Sequence, residues 1–385
     1  MFQAFSMLGL DSIVVRDIAK NSSVANQVLG TALRLRLFAS VFSFAAACLT
    51  ISFIYPEKVE FQFLVILVGI GIVFQTADIV DLWFQSQSQS RRTVIAKAIS
   101  YLIAAVVKIA LILTSAPLWI FAAAIGAETA LSAIALYVSY KKYPTISQWA
   151  WDVVVARKML HQSFPLLLSG MSIIIYMKSS QLIINELVNS AAVGIYSSAQ
   201  TLSELWYFLP MTIVASVAPV IARKKAESDM AYNLALQNIF SFMWFISILI
   251  AVVVSACSGL IVTILYGEAF RSSATILSIH IFTLIPVCIG VTQSLWLINE
   301  HKSSLALYQA LAGAVSSVGL NFFLISKYGI VGGAIATVAS QFIQAFAVNA
   351  IFAPMLFRIQ TKSLVDLISN CWKAASSLAM NKKIK

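Results

Sequence analysis

Charge is scarce in this 385-residue chain and acid is scarcest: 15 Asp and Glu stand against 26 Lys and Arg, and the four types make only 11% of the residues. A soluble domain uses about 25% charged residues, so too little charge is present to cover a water-facing surface. Cysteine is limited to four positions, with Cys48, Cys257 and Cys288 in separate apolar runs and Cys371 near the carboxyl end. That spacing implies neither a disulfide nor a metal site. A G-x-x-x-x-G-K-[ST] loop is missing, and with it the phosphate cradle of an ATP-driven pump. Also missing is a pair of metal-binding carboxylates outside the apolar runs, which a sugar-transferring enzyme ordinarily needs. No cofactor is implied, and any transport must draw on an ion gradient or the substrate's own gradient.

What fills the chain is hydrocarbon, at 60% hydrophobic residues. Apolar runs occupy 35–55, 61–84, 94–114, 118–139, 161–187, 193–221, 234–265, 274–298, 303–326 and 330–356. Each approaches the roughly 20 residues that cross a bilayer core. They are continuously apolar rather than polar at every second position, which argues against a β-barrel. The expected fold class is therefore all-α, a polytopic membrane protein with about ten full transmembrane helices plus a partial amino-terminal one. Met1 to Leu10 is too short to span, lacks a basic n-region and runs into Asp11 and Arg16. It reads as the back half of a span, not as a signal peptide.

The cations are sorted by side. Arg16, Lys20, Arg34, Arg36, Arg91, Arg92, Lys97, Lys141, Lys142, Arg157, Lys158, Arg223, Lys224, Lys225, Lys302 and the basic residues from Arg358 onward lie on one alternate set of loops, 21 of the 26. The other loops hold only Lys58, Arg271 and Lys327, and Lys108 and Lys178 sit inside spans. The positive-inside rule places the crowded side and the carboxyl terminus in the cytoplasm. The net charge of +11 suits anionic headgroups of the bilayer. It is spread over many short loops rather than gathered in one basic domain, so no nucleic acid partner is expected.

The longest hydrophilic stretch, Lys141 to Gln162, divides the spans and carries Pro144, Trp149 and Trp151. We expect an amino-terminal helical half at 1–140, a cytoplasmic interfacial linker at 141–160, a carboxyl-terminal half at 161–356 and a tail at 357–385. In the tail Leu364, Leu367, Ile368, Cys371, Trp372, Ala375 and Leu378 recur at helical spacing, so it is either an interfacial amphipathic helix or disordered. Asp81-Leu82-Trp83-Phe84 resembles Ser294-Leu295-Trp296-Leu297, and Ala123-Ala124-Ile125-Gly126-Ala127 matches Gly333-Ala334-Ile335-Ala336-Thr337 in the same order. Two repeated halves with a substrate path through a central cavity between them are a transporter signature.

Four segments carry a resemblance to a known family. Leu8-Gly9-Leu10-Asp11-Ser12-Ile13-Val14-Val15-Arg16 resembles the end of its second span, and Asp81-Leu82-Trp83-Phe84-Gln85 the end of its fourth. Val193 to Ala199, through Glu204-Leu205-Trp206 to Pro210 and Pro219, is similar to its eighth, and Tyr328 to Thr337 to the opening of its twelfth. The family is that of polysaccharide-export flippases, which move O-antigen or other lipid-linked oligosaccharides, within the multidrug/oligosaccharidyl-lipid/polysaccharide exporter superfamily. The resemblance implies that the first helix and part of the second are missing here. The family often places an aspartate where this chain has Ser180, so no coupling role carries over to that position.

Candidate chemistry lies in ionisable groups at bilayer depth, because a charge there costs several kcal/mol unless it faces a cavity or a partner. Lys178 and Lys108 are expected to meet the pyrophosphate of a lipid-linked sugar, the other readings being snorkelling or a structural pair. Arg16, Arg34, Arg91 and Arg92 border the cytoplasmic side and gather an anionic donor, or serve orientation alone. Asp78, Asp81, Glu128, Glu204 and His280 are ion-coupling candidates for H⁺ or Na⁺, set against acids paired with lysine and a histidine hydrogen-bonded in place. Pro165, Pro210, Pro219, Pro286 and Pro354 permit bending, Gly329 to Gly333 is a GxxxG spacing for close helix contact, and Trp83, Trp119, Trp149, Trp151, Trp206 and Trp296 read as interfacial belts.

The resemblance implies a flippase of the bacterial inner membrane. It would carry undecaprenyl-diphosphate-linked oligosaccharide from the cytoplasmic to the outer leaflet by alternating access, beside polysaccharide polymerase machinery. The alternatives are an ion-coupled multidrug exporter of the same superfamily and, more distantly, a membrane-bound sugar-transferring enzyme.

Overall fold

Inside hydrocarbon each backbone N–H and C=O has to be satisfied within its own segment, and the apolar runs fold accordingly. A computed structural model describes residues 2–87, 89–142, 149–300, 302 and 304–383. In chain order the helices are α1 (Phe2–Met7), α2 (Asp11–Lys20), α3 (Ala25–Ile54), α4 (Val59–Gly69), α5 (Gly71–Phe74), α6 (Ile79–Ser86), α7 (Arg91–Leu113), α8 (Leu118–Lys142) and α9 (Val153–Leu187). There follow α10 (Ser190–Glu204), α11 (Phe208–Glu227), α12 (Asp229–Ala256), α13 (Ser258–Tyr266), α14 (Ser272–His280), α15 (Leu284–Asn299), α16 (Ser304–Phe342), α17 (Val348–Phe352) and α18 (Pro354–Lys383).

Among the described residues, nine continuous helical stretches are long and apolar enough to cross a membrane. The ninth, Ser304–Phe352, has 49 residues, about 74 Å at 1.5 Å per residue and more than twice a ~30 Å bilayer core. It bends at Gly329, where φ is 59° and ψ −142°, and so contains both of the last two expected spans. Glycine serves here as the bend itself, while Gly333 approaches Tyr196 and Ile184 so closely that a Cβ would lie 3.2 Å from each. The GxxxG spacing therefore divides its labour between a turn and one contact. Open space surrounds Gly329, so a methyl group there meets only conformational resistance. Gly329→Ala is expected to cost about 1–3 kcal/mol, read as a lowered thermal midpoint of the purified protein.

The chain forms two compact units, Met1–Met171 and Ser172–Lys385. In unit 1, α1 gives way to α2 through Leu8 and Gly9, both at positive φ, 54° and 63°. A Cβ on Gly9 would lie 2.8 Å from the backbone N of Leu167, so glycine lets α9 approach. Leu10, Ile13, Ile18, Leu29, Ile79 and Phe84 form the core there. The segment before α9 packs onto α3: the Ala150 amide donates to Asn26 O at 3.1 Å and the Asp152 amide to Thr31 Oγ1 at 3.1 Å. Pro144 of the expected linker lies outside the described residues.

Unit 2 is built around Tyr196, Tyr232, Phe240, Leu284 and Trp296. Lipid supplies no hydrophobic drive between helices, so packing is helped by hydroxyl pairs worth about 0.6 kcal/mol each. Ser179 bonds Ser317 at 2.7 Å, Ser180 bonds Thr337 at 2.8 Å and Ser198 bonds Ser273 at 2.9 Å. Trp83 and Trp296 depart from the interfacial expectation: at 9% and 1% exposure they pack inside their units. The start of the expected tail is docked rather than free. Along α18, Gln237 of α12 bonds Asp366, Trp244 Nε1 donates to Gln360 O at 3.2 Å, and Ser241 donates to Ser363 O at 3.1 Å. The side chains of Cys371, Trp372, Ala375 and Leu378 lie outside those described.

Candidate functional site

Three of the spans are interrupted in mid-course by a 3₁₀ turn, at Gln75–Asp78, Leu205–Tyr207 and Ile281–Thr283. Such turns inside a helix often mark hinges, and each adjoins one of the sequence candidates: Asp78 closes the first, Glu204 precedes the second and His280 the third.

In unit 1 the turn brings Asp78 and Asp81 to one cation. Lys97 Nζ of α7 stands 2.8 Å from Asp78 and 2.9 Å from Asp81, with all three side chains less than a third exposed. Thr93 also donates to Asp81. Beside them Arg36, 3% exposed, pairs with Asp11, and Asp78 is close enough to act on Arg36 electrostatically. The group holds three carboxylates against two cations, one negative charge in excess. Linear reading assigned Lys97 and Arg36 to loops, yet both are central. The available signal was the four-residue step from Thr93 to Lys97, which puts both on one face of α7.

The other first-half candidates fall into separate places. Lys108 of α7 pairs with Glu128 of α8, so each answers the other's charge. Arg16 donates to Asp17 at 2.9 Å and to Gln162 at 2.7 Å. Arg34 is exposed and stacks 6.0 Å from the Trp151 ring centre. Arg91 and Arg92 line a pocket of about 660 Å³ with Lys142, and Arg92 also lies over Phe84.

In unit 2, α9 turns Ser179, Ser180 and the fully buried Ile184 toward the unit's core. Lys178 is two residues, or about 200°, from Ser180 on a 3.6-residue helix and is exposed on the opposite side. No ion pair or hydrogen bond engages it among the described residues. It lies nine residues before Leu187, about 13 Å inside the end of its helix.

Glu204, half-buried, accepts from Gln200 Nε2 at 2.6 Å. Gln200 also donates to Met177 O at 3.2 Å and accepts from Gln181 at 3.0 Å. His280, 1% exposed, is bonded at Nδ1 to Ser203 Oγ at 2.6 Å, and its Nε2 has no partner among the described residues. Tyr196 stands edge-on to the His280 ring at 5.8 Å and bonds Thr337 at 3.0 Å. Sequence reasoning passed over Tyr196, Gln200 and Ser203, although their i, i+4, i+7 spacing in an apolar run sets them on one face.

At the basic end of unit 2, outside the spans, Lys225 bridges Asp229 and Glu300 at 2.8 Å each and lies 4.8 Å from the Tyr232 ring centre. Hydrogen bonds donated to Asp229 and then to Glu300 hold this ammonium above the ordinary lysine range. Its contribution to stability is thus present through neutral pH and is lost only as pH rises well into the alkaline range.

The family described as polysaccharide biosynthesis protein matches residues 1–275. No curated protein matches. Among solved structures, the chain is similar to a multidrug resistance MATE family transporter of the MOP superfamily in its inward-facing conformation. The TM-score is 0.75 and the identity 14%, over 94% of this chain and 88% of that one. It is similar to the lipid II flippase MurJ, inward closed conformation, at TM-score 0.74 and 15% identity over 96% and 82%. A MOP superfamily transporter from Pyrococcus furiosus Vc1, with a binding pocket of reverse polarity, follows at TM-score 0.65 and 14% identity over 93% and 85%. These structural likenesses show the fold: an all-helical membrane architecture of two repeated halves. Matched over more than two thirds of its length, the chain belongs to the polysaccharide biosynthesis protein family.

Proposed function

We propose that the chain is a flippase for a diphosphate-linked oligosaccharide of the undecaprenyl class, the precursor of O-antigen or another surface polysaccharide. It acts in the bacterial inner membrane by alternating access, with its basic loops and carboxyl terminus in the cytoplasm. Lys178 carries the reading. An isolated cation at that depth costs about 2.5–3.5 kcal/mol or more in hydrocarbon, and a phosphate group of the substrate offsets that cost. Membership in the polysaccharide biosynthesis family, and a fold shared with a lipid II flippase, support a lipid-linked substrate. Coupling to H⁺ or Na⁺ is assigned to the Asp78–Lys97–Asp81 group, whose excess negative charge one cation neutralises, and Glu204 is the second candidate.

The multidrug reading has the MATE fold likeness behind it, but an exporter of cationic drugs gains nothing from an unpaired lysine. Liposomes containing the full chain and a fluorescent undecaprenyl-diphosphate sugar test the two together. The flippase reading expects the label to become accessible across the bilayer while a cationic dye stays in place. Dye export without movement of the labelled lipid would overturn it.

A further inference from the structure

The α7–α8 pair carries a furrow that joins Arg91 and Arg92 to an apolar track. Its basic end is the 660 Å³ pocket, where Arg91, Arg92 and Lys142 are the charged residues of the lining and no acid is among them. A second pocket of about 290 Å³ continues between the same helices. On α7, Ile95, Ile99, Ile103 and Val107 line the two pockets in turn, at four-residue steps below Arg91. All four are 45–52% exposed. Facing them, α8 presents Ala135 and Ser139 in the first pocket and Ala127 and Ala130 in the second, where Glu128 also lines the wall with its charge answered by Lys108. Both walls are mainly apolar, with Val138, Leu131 and Ile134 on α8 as well. From Arg91 to Val107 the furrow runs about 24 Å at 1.5 Å per residue, most of a ~30 Å bilayer core.

We propose that this furrow binds one anionic glycerophospholipid from the leaflet on the basic side, its phosphate held by Arg91, Arg92 and Lys142 and one acyl chain laid along α7. Topology alone asks only that cations lie on that side. It does not ask that three converge on a pocket free of acid above an apolar track. The neighbouring Lys141 shows the difference, for its ammonium lies 5.0 Å from the Tyr137 ring centre and takes no part in the lining. The first turn of α7 begins at Arg91, and Ser90 gives it no side-chain cap. Its amino-terminal N–H groups and dipole therefore add to the field that draws a phosphate. Basic pockets between transmembrane helices bind anionic headgroups by this combination.

Native mass spectrometry of the full chain, offered equal amounts of phosphatidylglycerol and phosphatidylcholine in detergent, tests the site. The wild type is expected to retain phosphatidylglycerol with a preference of about 100-fold to 200-fold, at roughly 1 kcal/mol for each of three cations. Arg91→Ala/Arg92→Ala/Lys142→Ala is expected to abolish the preference. Ile99→Trp keeps every charge and fills the furrow at a position already 52% exposed, and it is expected to abolish it as well. If Ile99→Trp binds like the wild type, the cations act as diffuse surface charge and the built site is refuted. Retention in the triple variant overturns the proposal outright. Displacement of phosphatidylglycerol by sub-stoichiometric undecaprenyl diphosphate would also overturn it, by making the furrow a substrate site instead.

Discussion

Lys178→Met is expected to lower the initial rate of lipid-linked oligosaccharide translocation about tenfold to 150-fold while leaving the amount of folded protein unchanged. The magnitude follows from the bond removed: a hydrogen bond to a charged group is worth about 1.5–3 kcal/mol, and each 1.36 kcal/mol is a factor of ten in rate. Stability is spared because nothing among the described residues of the protein relies on this ammonium, which faces away from the core of its own unit. Methionine keeps the length of the aliphatic stem, so packing changes little. Lys178→Arg restores a cation and is expected to stay within a few-fold of the wild type; guanidinium also pairs with phosphate. The readout is the accessibility of the fluorescent sugar in liposomes, with protein quantity matched by size-exclusion profile. Transport by Lys178→Met within twofold of the wild type would place the anion site elsewhere.

The spans were legible because a bilayer imposes a length, and apolar runs of that length have few other uses. Their count was less direct. Gly329, at non-helical φ and ψ, kinks the chain between the two spans read in sequence, with no loop between the helices on either side. Trp83 and Trp296 were misplaced for a related reason: a position near a span end suggests an interface, but packing against other helices buries both. Ion pairs were the least legible feature. Lys97 is 16 residues from Asp81 and Lys108 is 20 from Glu128, and nothing in a linear reading measures how two helices cross. Lys178 stood out in sequence as an ionisable residue inside a span, whereas its lack of a partner among the described residues required the surrounding side chains.

Lys97→Met is expected to destabilise the protein most, by about 1.5–3 kcal/mol, the worth of hydrogen bonds to charged groups lost from a half-buried ionic group. It leaves Asp78 and Asp81, 31% and 16% exposed, facing one another with no cation between them. The two like charges then repel one another across a half-buried site. Neutralising the whole group, as Asp78→Asn/Lys97→Met/Asp81→Asn, removes that conflict, and most of the lost stability is expected to return in a thermal unfolding assay. The neutral variant also separates structure from coupling. It is expected to fold but to show transport that no longer responds to an imposed H⁺ or Na⁺ gradient, because the one carboxylate left beside it, Asp11, is already paired with Arg36. A neutral variant that folds and still follows the gradient would confine Asp78, Lys97 and Asp81 to holding α6 against α7. Coupling would then rest on Glu204, and Glu204→Gln would be the variant expected to lose the gradient response.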